Sequence, residues 1–222
     1  MKKIVVLLTL ILILPAFSTA GESKIYGRII LPVPVKKESA FPGMAYRNRL
    51  TSPGISGKKR AAAEDVIVLA YPLSFRPVVK PMMNARLLQK ESCFVPRVLP
   101  VTPGTTVFFI NRDRYYHDVF SLTPGARFDI GRRPTGTAVG KTIKQSGELK
   151  LFCDIHPGMT ATILCVETPY FTRSSRNGVY LLKNLPPGRY RLEVYHPDLK
   201  RVAETVDVKK NKALRVDFNL KR

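Results

Sequence analysis

The chain has 222 residues, with 37 Lys and Arg against 16 Asp and Glu and a formal charge of +21. Such a field steers acidic partner proteins or anionic surfaces and weakens with salt, the plainer reading being a solvated basic surface. Nucleic acid is excluded as a partner class, because a chain that opens like an exported one carries no recognisable reader module.

That opening is Met1-Lys2-Lys3, an apolar run from Ile4 to Leu14, and the small residues Ser18-Thr19-Ala20 before Gly21. The pattern is that of a cleaved secretory signal over residues 1–20, and the apolar run is short for a membrane span. No later segment is apolar enough for a transmembrane span, so membrane association is expected to be peripheral. The mature chain is expected in an oxidising compartment, a bacterial periplasm or the extracellular space.

Lys24 to Leu31 alternates and is rich in β-branched residues, which predicts a strand. Pro32 to Ala63 is rich in Pro, Gly, Ser and basic residues, with turn signals at Ser52-Pro53-Gly54 and Ser56-Gly57-Lys58, and reads as a long loop. Val66 to Tyr71 predicts a buried strand. Phe94-x-Pro96-x-x-Leu99-x-Val101-x-x-Gly104-x-x-Val107-x-Phe109-x-Asn111 predicts further strands, the last ending in the polar corner Asn111 to Tyr116. His117 follows at the head of the apolar run Val119-Phe120. Gly136 to Thr142 is one residue short of a phosphate-binding loop, because position 135 is Thr, and reads as a turn leading into a strand.

Gly147 to Phe152 is strand-like and runs into Cys153-Asp154-Ile155-His156-Pro157-Gly158-Met159. A thiolate, an imidazole and a thioether on one short loop form a ligand set suited to copper, and His117 is the candidate remote ligand. Methionine is a poor ligand for zinc, and structural zinc takes four Cys or His, so zinc is disfavoured. The third histidine, His196 in Tyr195-His196-Pro197-Asp198, reads as an ordinary strand-end residue.

Beyond this loop, Gly178 to Leu182 and Arg189 to Tyr195 alternate around the turn Asn184-Leu185-Pro186-Pro187-Gly188, and Val202 to Val208 and Ala213 to Leu220 predict two more strands.

From about Leu87 to Glu167 the chain resembles a cupredoxin, with the Cys-x2-His-Pro-x-Met spacing of amicyanin rather than the longer His-to-Met spacing of plastocyanin. The resemblance implies one type 1 copper with His117, Cys153 and His156 as in-plane ligands and Met159 as the long axial one. It also implies a port for electrons at an exposed His156 and a buried His117 fixed by a hydrogen bond. The Gly-x-Tyr strand, the Leu-Pro-Pro-Gly turn and Tyr190-x-Leu192-x-Val194 resemble a carboxypeptidase-regulatory-like, or transthyretin-like, β-sandwich. The whole arrangement is similar to exported proteins grouped with methylamine-utilisation proteins. The fold expected is all-β: a Greek-key cupredoxin sandwich inserted in, or packed beside, a second small sandwich. Its expected parts are residues 21–79 (first strands and basic loop of the outer sandwich), 80–167 (copper domain) and 168–222 (regulatory-like sandwich).

Two further expectations come from the resemblance. The strands carrying Cys93 and Cys165 lie near one another in that fold, which allows a disulfide, with two buried free thiols as the alternative. Where the family usually has Asn after the first histidine, this chain has Asp118, and Asp154 follows Cys153. With Asn111 at the corner, these residues are expected beside the ligands. The two carboxylates are expected to face each other, with one pKa raised or an arginine between them, Arg112, Arg114 and Arg127 being candidates.

Multicopper oxidases and copper nitrite reductases need more histidines than this chain holds, so the expected function is non-enzymatic: one-electron transfer to an acidic protein partner. The alternatives are copper storage and delivery, or a surface interaction protein on a cupredoxin scaffold.

Overall fold

The computed structural model describes residues 22–32, 62–156 and 158–221. The expected signal segment, most of the Pro32–Ala63 stretch and Pro157 of the Cys153–Met159 motif lie outside the described residues.

The strands are β1 (Lys24–Ile30), β2 (Ile67–Pro72), β3 (Ala85–Lys90), β4 (Cys93–Val95), β5 (Val98–Val101), β6 (Thr105–Asn111), β7 (His117–Ser121), β8 (Phe128–Arg133), β9 (Ala138–Ile143), β10 (Gly147–Cys153), β11 (Thr160–Cys165), β12 (Phe171–Arg173), β13 (Val179–Leu182), β14 (Gly188–Tyr195), β15 (Val202–Val208), β16 (Ala213–Arg215) and β17 (Phe218–Asn219). One 3₁₀ turn, Ala62–Asp65, precedes β2, and among the described residues no helix is long and apolar enough to cross a membrane. The alternation is plain in β6, where Thr105, Val107, Phe109 and Asn111 are buried and Phe108 is exposed. Period-2 burial of this kind is what a sheet with one covered face requires.

Two sandwiches result. In the first, sheet β4-β3-β6-β9 faces sheet β5-β11-β10-β7-β8, and the chain passes from sheet to sheet in the manner of a Greek key. Its core includes Leu87, Phe94, Phe109, Leu151 and Ile163. The second sandwich is built from both ends of the chain: β1 joins β13, β16 and β17 in one sheet, and β2 joins β12, β14 and β15 in the other. Its core includes Ile25, Val68, Tyr180, Tyr190 and Leu192. Gly27 is required here, because a Cβ at that position would lie 1.7 Å from the Val216 carbonyl oxygen.

A third apolar cluster, Ile67, Leu69, Val98, Leu164, Val166 and Tyr195, joins the outer face of β2 and β14 to that of β5 and β11. Polar bonds flank it. Arg97 bridges Asp65 at 3.0 Å and Asp198 at 2.7 Å. Arg201 bridges Glu148 at 2.6 Å and Glu193 at 2.7 Å, while the Tyr195 hydroxyl donates to Glu148 Oε2 at 2.9 Å. The second sandwich therefore grips the back of the sheet that carries Cys153.

Of the two alternatives for Cys93 and Cys165 the structure has the free thiols and not the disulfide, with Cys165 buried and Cys93 partly exposed. Cys93 shares a small cavity with Met159 and Thr160, at the start of β11, whereas Cys165 ends that strand. A strand of that length spans about 17 Å, far beyond the roughly 7 Å between Cα atoms that a disulfide tolerates.

Candidate metal centre

Strand pairing brings the two main donors together. β10 runs antiparallel to β7 with Cys153 opposite Val119, and the Asp154 N–H donates to the Asp118 carbonyl at 3.0 Å. This places the Cys153 Sγ 3.6 Å from His117 Nδ1. The loop beyond Cys153 then turns back, the Met159 N–H donating to the His156 carbonyl at 2.8 Å, and His156 Nδ1 lies 3.8 Å from the same sulfur. The donor atoms of His117, Cys153 and His156 all lie within 4.8 Å of one another. Met159 is buried in the same apolar cluster as Cys153. His117 is fully buried, and His156 is partly exposed.

Asn111 holds the corner that aims His117. Its Nδ2 donates to the carbonyls of Tyr115 at 2.8 Å and Arg133 at 3.0 Å, and its Oδ1 accepts the Asp113 N–H at 2.9 Å. Asp113 Oδ2 in turn accepts the His117 Nε2–H at 2.8 Å, which leaves Nδ1 pointing at the sulfur. Nothing in the local sequence singles out Asp113. Its four-residue offset from His117 is the one available signal, and it has meaning only once the corner is known to fold back. The Tyr115 ring packs 5.3 Å from the His117 imidazole and 5.2 Å from that of His156.

Charge favours an ionised sulfur. Burial pushes the Cys153 thiol up, but hydrogen bonds from His117, the Asp118 backbone and His156 outweigh it and bring the thiol down to about 6. Burial likewise pulls His117 down, and its bonds to Cys153 and Asp113 reverse the sign and raise it.

The expected raised carboxyl is found at Asp118, but its main acidic partner and the opposing arginine need correcting. The backbone contact between Asp154 and Asp118 exists, but the Asp118 carboxyl lies against Asp129 of β8. Burial comes first, followed by Asp129 and then Asp154, in pushing the Asp118 carboxyl up. Arg132, not Arg112, Arg114 or Arg127, is the cation that opposes them. A register shift between Asp118 and Phe120 lies beside this contact: Asp118 pairs with Arg132 and Phe120 with Asp129. Asp118 Oδ1 is buried without a hydrogen bond. His196 takes no part in the cluster; its Nδ1 accepts the Asp198 N–H at 3.1 Å.

The donor set fits a single soft or borderline ion. Metal–nitrogen bonds of about 2.0–2.1 Å and metal–sulfur bonds of about 2.3 Å let two donors on one ion lie up to roughly 4.4 Å apart. Both sulfur–nitrogen separations, 3.6 and 3.8 Å, fall inside that span. Two histidines, a cysteine and a methionine match the blue-copper set.

Residues 156–221 match the family model of the carboxypeptidase regulatory-like domain. No curated protein matches the chain. Among solved structures, similarity is found to a purple cupredoxin from Nitrosopumilus maritimus, at 21% identity and TM-score 0.34, over 37% of this chain and 100% of that one. A methionine-to-alanine mutant of amicyanin, as Cu(I), matches at 19% identity and TM-score 0.36, over 44% of this chain and 98% of that one. A Cu-containing nitrite reductase from Thermus scotoductus SA-01 matches at 24% identity and TM-score 0.37, over 44% of this chain but 26% of that one.

Proposed function

We propose that this chain is an exported one-electron carrier in which His117, Cys153 and His156, with Met159 as a weaker fourth donor, would hold a single type 1 copper. The observation that carries this reading is the convergence of one thiol and two imidazole Nδ1 atoms, within 4.8 Å, from the head of β7, the end of β10 and the loop that follows it. Copper supplies the cycling between Cu(I) and Cu(II). The protein's part is to hold the donors still, so that little rearrangement accompanies the change of charge. Phe109, Leu151 and Met159 keep one side of the thiol dry, and burial and hydrogen bonds to the sulfur tune the potential.

The port is His156. It lines an open cavity of about 450 Å³ with Tyr115, Tyr116, Ile155 and Arg132, and the two tyrosines and Ile155 are exposed. An acidic protein partner docking there would meet an apolar surface with a cation beside it, in keeping with the overall charge of +21. The remaining histidine count leaves the role non-enzymatic.

One observation favours copper delivery instead. Cys93, a partly exposed thiol, lines a cavity of about 150 Å³ together with Met159, and two sulfurs form a natural route for Cu(I). Stopped-flow reduction and re-oxidation of the copper-loaded protein, with Cu(I) release to a chelator timed alongside, separates the two. Fast reversible redox with release slower by orders of magnitude is expected; release that keeps pace with redox would replace the carrier by delivery.

A further inference from the structure

The Asp113 side chain is 8% exposed. Its carboxylate accepts three N–H bonds: Oδ1 takes the Glu91 N–H at 2.6 Å, and Oδ2 takes the Ser92 N–H at 3.0 Å and His117 Nε2–H at 2.8 Å. Its main chain is pinned as well, through the Asn111 Oδ1 bond and a Thr135 hydroxyl that donates to its carbonyl at 2.6 Å. Glu91 and Ser92 form the turn between β3 and β4, and both adopt left-handed backbone, with φ of 54° and 53°. That conformation is costly for residues with side chains, and the two bonds to Asp113 hold it in place. The Ser92 hydroxyl also meets the Tyr115 hydroxyl at 2.7 Å, and the Tyr115 ring packs against both imidazoles, edge-on to His117 and tilted to His156.

A backbone carbonyl would serve as well as a carboxylate if the task were only to choose which nitrogen of His117 keeps its proton. A buried carboxylate does more. It sets a negative charge behind the imidazole, raises its donor strength and favours the more highly charged ion at Nδ1.

We propose that Asp113 is a positioning residue that, clamped by the β3–β4 turn, keeps the His117 proton on Nε2 and shifts the site toward Cu(II). The inference rests on the copper reading above. It makes the β3–β4 turn part of the metal centre, although the turn contributes no ligand.

The test compares wild type with Asp113→Asn, measuring Cu(II) and Cu(I) affinities and the reduction potential. Loss of the charge is expected to weaken Cu(II) binding about tenfold while Cu(I) binding changes less. For one electron, a tenfold change in the ratio of the two affinities raises the potential by about 59 mV. An Asp113→Asn protein with its thiolate-to-copper band intact and its potential unchanged overturns the proposal. Should that variant fail to fold, Asp113→Glu takes its place: it keeps the charge, and a potential close to that of wild type is expected, a shift as large as the charge loss would give overturning the proposal.

A copper-free measurement separates this inference from the copper reading. In nitrogen-15 NMR spectra of the metal-free wild type, the His117 Nε2–H is expected to be hydrogen-bonded and protected from exchange, together with the Glu91 and Ser92 amides. A freely exchanging or absent Nε2 proton overturns the clamp whatever the metal does. A protected proton in a protein that gives no thiolate-to-copper band overturns the copper reading and leaves the clamp standing.

Discussion

The outer sandwich closes its core with side chains that ask for nothing further. Tyr180 and Tyr190 are among its largest buried residues, and each hydroxyl donates to a backbone carbonyl, Val216 at 2.8 Å and Pro186 at 2.7 Å. Around them lie Ile25, Val68, Leu192 and Val194. The first sandwich does the same over most of its length, but at the end where β7 begins and β10 stops it buries an imidazole, a thiol, a thioether and a carboxylate together. A core chosen for packing alone would hold apolar side chains there, since buried polar groups stabilise a fold only when satisfied. Asp113 satisfies one nitrogen of His117, and the other nitrogen and the sulfur face each other. The contrast separates a core complete in its packing from one arranged around converging donors.

If that division is right, damage to the outer core should lower stability and leave the metal centre alone. Leu192→Ala removes a fully buried side chain and is expected to cost about 2–5 kcal/mol, read by chemical denaturation. The visible spectrum of the copper-loaded variant under native conditions should match wild type; a changed spectrum would mean that the two sandwiches share one mechanical unit.

The seam between them should respond to acid. Burial pushes the Glu148 carboxyl up, but Arg201, Lys150 and Tyr195 outweigh it and hold it below 4.5. A carboxylate depressed by folding contributes stability above its unfolded pKa and loses it as pH falls through the folded one. The seam is therefore expected to weaken below about pH 4.5, and Glu148→Gln, at a cost of about 1 kcal/mol at pH 7, should flatten that acid limb. Denaturation across roughly pH 3–7 checks this, and an identical acid limb in the variant would move the weakness elsewhere.

The smallest effect belongs to Asp118. Its carboxyl is pushed up by burial and by Asp129, so its ionised form costs stability at neutral pH. Asp118→Asn is expected to stabilise the protein by under about 1 kcal/mol at pH 7 and by nothing at about pH 3, where both side chains are neutral. Destabilisation at neutral pH would show that the carboxylate is needed where it stands.

Much of this was legible in the sequence for physical reasons. Alternation marks β1 and β6 because each buries one face, and the candidate ligands Cys153, His156 and Met159 are close in sequence. The sandwich made from both chain ends was legible through resemblance: the Leu185-Pro186-Pro187-Gly188 turn and its flanking strands resemble a regulatory-like domain, which implies opening strands such as those predicted over Lys24–Leu31 and Val66–Tyr71. The match to residues 156–221 starts within the ligand loop and leaves out β1 and β2, because a linear stretch cannot contain a strand supplied from far upstream.

What stayed hidden depends on register and remote turns. Asp113 acquires its role from the amides of Glu91 and Ser92, in a turn whose approach no local pattern announces. Asp129 outranks Asp154 at the Asp118 carboxyl, beside a β7–β8 pairing that slips by one residue between Asp118 and Phe120. Cys93 and Cys165 are apart because one lies near the start of β11 and the other at its end.

The most direct measurement is a titration of the purified protein with Cu(II), followed by visible absorption and electron paramagnetic resonance, with Cys153→Ser as control. A site of the kind argued for gives an intense thiolate-to-copper band and narrow hyperfine splitting at one equivalent, both absent from the variant. Weak spectra that saturate at no fixed ratio and survive Cys153→Ser would contradict it, and the buried histidine, thiol and carboxylate would then need another explanation.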